Sequence, residues 1–179
     1  MTRAAIIGLG QIAWQYDGGT VKSDGAAFTH LSTYRSAGDI VVIGGVDSVP
    51  EARASWENAT GLKSFANIDT MLAQKPDIVS ITSPNALHHT HLRSCLTAQV
   101  PMIWLEKPAT TEDSTTQELV QIAATLPSRI LVGFQRRYLP AYQRLVQDMA
   151  GDTDYGQPQG ISLTYSRGLE TNGVHLIDL

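Results

Sequence analysis

Cysteine is nearly absent. Cys95 is the only one in 179 residues, so neither an intrachain disulfide framework nor a cysteine-based zinc site can form. Charge is sparse, at 17% of residues, with 13 basic and 17 acidic side chains and a formal charge of −4. No cluster of lysine and arginine stands out, which argues against binding along a nucleic-acid backbone. Long apolar runs are missing as well. The run that follows Arg3 is interrupted at Gly10 and Gln11, too early for a secretory leader or a membrane span. Internal repeats, low-complexity tracts and the G-x-S-x-G, P-loop and EF-hand patterns are also lacking. With 42% hydrophobic residues, the chain is predicted to be a soluble, cytoplasmic globule, long enough for one domain and the opening of another.

What is present is an alternation of short β-branched runs with helix-spaced stretches, the pattern of a parallel α/β sheet. Strands are predicted at 4–8, 41–46, 63–65, 77–82, 102–105 and 130–134. Helices are predicted at 10–15, 27–37, 50–59, 68–74, 85–98 and 113–125. Phe28, Leu31 and Tyr34 supply the apolar spacing of the second helix, and Pro50 and Gly61 bracket the third. The stretch 16–26, with Gly18, Gly19 and Gly25, reads as an inserted loop. The expected fold is therefore α/β, a Rossmann-type doubly wound parallel sheet over residues 1–126. Residues 127–179 read differently. A helix at 139–149 and a turn-rich stretch at 151–160 precede a strand with one solvated face at 161–166 and the first turns of a helix at 173–179. That is the expected beginning of an incomplete α+β, mainly antiparallel second domain.

Directly after the first strand, Gly8-Leu9-Gly10-Gln11-Ile12-Ala13 forms G-x-G-x-x-A. The first glycine permits a tight turn, the second lets backbone approach a pyrophosphate, and small Ala13 lets helix and strand pack closely. A helix opening there offers free N–H groups and a positive dipole end to phosphates. Asp47, closing the second strand, is placed to bind the adenosine ribose hydroxyls. It lies 34 positions after Ala13, more than the roughly 20 expected, and the inserted loop accounts for the excess. A carboxylate there repels a 2′-phosphate, so NAD is favoured, with NADP possible.

Glu106-Lys107-Pro108 after the fifth strand resembles the E-K-P signature of the Gfo/Idh/MocA oxidoreductases. Ser83-Pro84-Asn85 with His88 is similar to that family's T-P-N-x-x-H segment. Val132 to Pro140 resembles its V-G-F-N-R-R-F-x-P stretch, and Gly173-Val174-His175-Leu176-Ile177-Asp178 its G-x-H-x-x-D segment. The order agrees along the whole chain. The resemblance implies hydride transfer between NAD(P) and a sugar-like alcohol or ketone, in a cleft between a Rossmann domain and an open sheet domain. It implies Lys107 and His175 as catalytic residues, Lys107 polarising the substrate oxygen or exchanging its proton and His175 acting as general base and acid. It also implies a cis Lys107–Pro108 bond, with Glu106 at the nicotinamide end or orienting Lys107. The expected cofactor contacts are Gly8, Gly10, Gln11, Ile12, Ala13, Asp47, Ser83, Pro84, Asn85, His88, Glu106, Lys107 and Arg137.

Full family members are roughly twice this length, and many carry an aspartate four residues before the histidine, where this chain has Thr171. The alternative reading is therefore a non-catalytic dinucleotide-binding sensor or degraded paralogue. No metal is expected, because His88 and His91 share a helix face without an accompanying carboxylate or cysteine. The expected partner is a small sugar-like substrate, not nucleic acid or membrane, with homo-oligomers formed through a complete second domain. Trp14 and Cys95 are expected in the core.

Overall fold

Six short strands, all parallel, form one twisted sheet in the order β3-β2-β1-β4-β5-β6. They are β1 (Thr2–Ile7), β2 (Ile40–Val46), β3 (Ser64–Phe65), β4 (Ile78–Ile81), β5 (Met102–Leu105) and β6 (Arg129–Val132). This is the doubly wound Rossmann arrangement expected from the alternating pattern, with the strand order reversing between β1 and β4. The structure is a computed structural model that describes residues 1–150 apart from 24, together with 156, 159, 160 and 162. The expected strand at 161–166, the helix start at 173–179, Glu170, Thr171, His175 and Asp178 all lie outside the described residues.

Period-2 alternation sends neighbouring strand residues to opposite faces, and both faces here are covered by helices. Ala5, Ile7, Val79, Ile81, Ile103 and Leu105 point to one face. There α3 (Ile68–Leu72), α4 (His88–Thr97) and α5 (Asp113–Ala124) bring Met71, Leu92, Cys95, Leu96 and Leu119. Ala4, Ile6, Ile78 and Trp104 point to the other, under Leu31 and Tyr34 of α1 (His30–Ala37) and Trp56 of α2 (Pro50–Thr60). Most of these side chains are fully buried, each contributing about 1.5–3 kcal/mol of hydrophobic stabilisation. Trp14 joins the second face edge-to-face with Trp56 at 6.1 Å. Like Cys95, it is a core residue, as expected.

Two elements differ from the sequence expectation. The helix expected at 10–15 is a single five-residue turn, Gln11–Gln15, wound with an i→i+5 bond from the Tyr16 N–H to the Gln11 carbonyl at 3.1 Å. Helix α1 begins at His30 rather than at 27, because Thr29 and Ser32 form a reciprocal capping box, which fixes the first turn. Phe28 lies ahead of that box and is 52% exposed instead of packed.

The chain divides into two compact units, Met1–Val132 and Gly133–Leu179. The first runs past the expected boundary at 126 because β6 completes the sheet beside β5. Within the second unit, a short turn at Gln135–Tyr138 precedes α6 (Pro140–Ala150).

Candidate functional site

The turn between β1 and the Gln11–Gln15 segment is pinned from two neighbouring strands. Gly8 has φ +88°, and a β-carbon there would stand 2.6 Å from the Ser83 α-carbon, so no larger residue fits. Its N–H donates to the Val46 carbonyl at 2.8 Å. The Thr82 hydroxyl lies 2.7 Å from the Gly8 carbonyl and donates to it. Gly10 is the opposite case, with open space where its β-carbon would be. One glycine is therefore demanded by the protein itself. The other leaves room for a ligand to approach the backbone. Ala13 is fully buried beneath the turn, the close packing expected of the third motif position. The macrodipole of a full helix, expected at this point, is not available from a five-residue turn. The N–H groups of its first residues nevertheless have no partner within the turn and are available to an anion.

Asp47 sits at the end of β2, half-buried. Its Oδ2 accepts the Leu9 N–H and its Oδ1 the Val49 N–H, each at 2.9 Å. The carboxylate therefore ties the glycine turn to the loop after β2. Each oxygen keeps a further lone pair for a ribose hydroxyl. Asp47 opens onto a cleft of about 670 Å³ lined also by Gly8, Leu9, Gly10, Ser48, Asn67, Asp69, Ser83, Pro84 and His91. That volume lies within the roughly 300–1,000 Å³ of ligand clefts, and the site falls at the carboxyl ends of the strands where the order reverses. The open backbone at Gly10, the spare carboxylate lone pairs and the cleft together fit the adenosine half of a dinucleotide.

His91, which sequence reasoning assigned no role, meets the Ser83 hydroxyl through Nδ1 at 2.8 Å. Burial pushes its imidazole below the ordinary value of 6.5, neighbouring His88 pushes the same way, and Asp47 opposes them. Asp69 and Asn67 were also missed. Their lining role depends on the β3–α3 connection, which no local motif announces.

His88 is not at the cleft. It is fully buried, with Nδ1 2.6 Å from the Pro108 carbonyl and Nε2 2.9 Å from the Ser83 carbonyl. With one ring nitrogen against each carbonyl, His88 joins the loop after β4 to the loop after β5. Asn85 lies on the exposed short turn Asn85–Leu87 and, like Gln11, Ile12 and Ala13, does not line the cleft. His89 lies 3.4 Å from Glu118, and among the described residues no three His, Cys, Asp or Glu side chains gather around a metal position.

Glu106 and Lys107 follow β5, and the Lys107–Pro108 bond is cis. The Glu106 N–H donates to the Ile81 carbonyl at 2.9 Å, which extends the sheet by one rung. Its side chain turns inward, 8% exposed, and Oε1 meets Nε2 of His30 at 3.0 Å. Lys107 is half-buried. Arg137 belongs to the second unit, where its guanidinium lies 4.6 Å from the Phe134 ring. Of the expected contacts, the fold gathers Gly8, Gly10, Asp47, Ser83 and Pro84 around one cleft, while Glu106 and Lys107 close the neighbouring strand.

The sequence profile of the Gfo/Idh/MocA oxidoreductases, a family with an NAD-binding Rossmann fold, matches residues 2–134. The chain belongs to this family. Among curated Gfo/Idh/MocA relatives, inositol 2-dehydrogenase of Corynebacterium glutamicum is 35% identical over 96 residues, 52% of this chain and 28% of its own length. D-glucoside 3-dehydrogenase of Escherichia coli is 28% identical over 174 residues, 96% of this chain and 44% of its own. A solved relative is the WlbA dehydrogenase of Chromobacterium violaceum in complex with NADH and UDP-GlcNAcA. It superposes with a TM-score of 0.70 at 28% identity, covering 84% of this chain and 40% of that one. The chain thus spans less than half the length of these relatives.

Proposed function

We propose that this chain supplies the NAD-binding half of a dehydrogenase acting on a sugar-like alcohol or the corresponding ketone. The observation that carries the reading is the Asp47 carboxylate, bonded to the Leu9 N–H at the mouth of the open Gly10 turn. An acidic residue in that place accepts ribose hydroxyls and repels a 2′-phosphate, and Asp69 adds a second carboxylate to the same cleft. NAD is therefore preferred over NADP. The inositol and glucoside dehydrogenases among the relatives support a polyhydroxylated substrate.

Bound NAD would supply the hydride acceptor. Lys107, half-buried at the end of β5, is the group proposed to polarise the substrate oxygen. Its ammonium stabilises negative charge there as the alcohol proton leaves. His175 is the proposed general base that takes that proton, leaving a ketone, and the reverse direction returns it. Of the other expected contacts, Gln11 and Ile12 would offer backbone N–H groups to the pyrophosphate and Ser83 and Pro84 would wall the adenosine side. Arg137 would reach an anionic part of cofactor or substrate. Turnover, and homo-oligomers built through a complete second domain, are expected of a protein of the relatives' full length, working in the cytoplasm.

Calorimetric titration of the chain with NAD⁺ and NADP⁺ tests the core of this reading. NAD⁺ is expected to bind in the range of about 1 μM to 1 mM typical of enzyme ligands, with NADP⁺ weaker. Gly8→Ala should remove both signals, because the added β-carbon meets the Ser83 backbone. Heat from neither nucleotide would overturn the proposal. In a full-length protein, Lys107→Ala should lower kcat by about 10²–10⁴-fold, the range for a proton-handling side chain.

A further inference from the structure

The face of the sheet that carries Trp104 also buries a line of polar groups. Tyr34 O–H stands 2.5 Å from the Ser80 hydroxyl. Ser80 Oγ lies 2.8 Å from His30 Nδ1, and His30 Nε2 lies 3.0 Å from Glu106 Oε1. His30 and Ser80 are 1% and 0% exposed. A carboxylate only accepts, so Nε2 carries a hydrogen toward an ionised Glu106; in a ring with that single hydrogen, Nδ1 accepts from Ser80, whose oxygen accepts in turn from Tyr34. Every donor then has one acceptor, and the line runs in one direction from Tyr34 to Glu106. Burial pushes the Tyr34 phenol up to about 12, against the opposing bond to Ser80, so Tyr34 remains a donor throughout the working range. The imidazole cannot swing away. Its ring centroid lies 4.0 Å from that of Trp104, and Tyr34 meets the same indole edge-on at 6.1 Å.

A buried carboxylate–imidazole pair is a poor stabiliser compared with two apolar side chains of equal volume. This one stands on the residue beside Lys107. We propose that His30, backed by Ser80 and Tyr34, is a positioning residue that fixes the Glu106 carboxylate at the nicotinamide end of the site. Oε1 is committed to His30, and Oε2 is the acceptor left for the bound cofactor. The inference rests on the dinucleotide reading given above and adds residues that no sequence motif of the site contains. It also gives the inserted segment a role, since that segment ends at the capping box that places His30.

ADP-ribose and NAD⁺ separate the two claims, because ADP-ribose lacks the nicotinamide ring. In the chain as it stands, His30→Gln is expected to weaken NAD⁺ about tenfold, the loss of one charge-assisted hydrogen bond, and ADP-ribose less than about twofold. Tyr34→Phe, which removes one oxygen and keeps the ring, should shift NAD⁺ in the same direction by about two- to threefold, with ADP-ribose affinity unmoved. It keeps the proposal testable if His30→Gln does not fold. Nitrogen-15 spectra of the His30 ring should show Nε2 protonated and Nδ1 bare, and NAD⁺ should move that signal together with the Glu106 and Lys107 amides. ADP-ribose that fails to bind overturns the dinucleotide reading. Equal losses for both ligands, a hydrogen on Nδ1 with Nε2 bare, or Glu106 and Lys107 signals indifferent to NAD⁺ overturn the positioning role.

Discussion

The two faces of the sheet are built from the same strands and do different work. On the face covered by α3, α4 and α5, the strands contribute only apolar side chains, aliphatic apart from Phe65 of β3, and the helices answer with Met71, Leu92, Cys95 and Leu96. On the face covered by α1 and α2, aliphatics under Trp14 and Trp56 give way toward β5 to Ser80, His30, Tyr34, Trp104 and Glu106. The first face can relax around a lost methyl group, but its stability depends directly on volume. The second depends on direction, since Tyr34, Ser80, His30 and Glu106 hold one another through hydrogen bonds of fixed geometry, and removing one leaves its buried neighbour short of a partner.

The largest expected effect lies on the apolar face. Ile103→Ala leaves a cavity in a fully buried position and should lower unfolding free energy by about 2–5 kcal/mol. The denaturant midpoint should fall while NAD⁺ affinity of the folded fraction stays constant. If affinity fell as well, the division between the faces would be wrong.

The second effect concerns the mount of the polar face. Asp17 accepts the Gly19 and Phe28 N–H groups and the Thr29 and Ser32 hydroxyls. Burial pushes this carboxyl up, but the bonds from Ser32, Phe28, Thr29 and Gly19 outweigh it and hold the group below its ordinary value of 3.8. Its contribution is therefore present above that value and lost as pH falls through the lower folded one. Asp17→Asn should destabilise by about 1–3 kcal/mol at neutral pH. The difference from wild type should shrink in acid unfolding below about pH 4.

A smaller effect tests the cleft. His91 titrates below its ordinary value of 6.5 in the folded chain, so the unfolded chain binds more protons as pH falls past that value. Stability should decline from neutrality toward pH 5, with a slope of at most about 1.4 kcal/mol per pH unit from this group. His91→Gln should flatten the slope in urea titrations repeated across that range, and an unchanged slope would assign it to another group.

The smallest is a rate. Burial pushes the Cys95 thiol up to about 12, and the thiolate is the reactive form. A disulfide reagent at pH 8 should leave the native chain unmodified and react fully once it unfolds. Rapid native reaction would mean that the apolar face opens.

Much of this was legible beforehand, for local reasons. Gly8, Gly10 and Asp47 announce themselves through strand-end motifs, and alternation alone places Ser80 with Ile78 and Glu106 with Trp104 on one face. The partner of Glu106 was not legible. His30 lies 76 positions away, beyond an insertion that hides its relation to the glycine turn. His88 carried the opposite error. A motif histidine beside a cofactor loop invited a ligand role, but its two ring nitrogens are both taken by backbone carbonyls. The start of α1 was misplaced because Phe28 fits helical spacing, although Thr29 and Ser32 already spelled a capping pair.

The closure of the inserted segment by Asp17 has a practical consequence. Both ends of the excursion, at Gly19 and at Phe28 and Thr29, converge on a single side chain, and Arg35 of α1 holds the Gly19 carbonyl at 2.7 Å, so the stretch between them is closed at its base. A reporter peptide or fluorophore spliced beside Ser23, exposed in the loop, should ride on the surface without disturbing the register of α1. The excursion is thus a ready attachment handle.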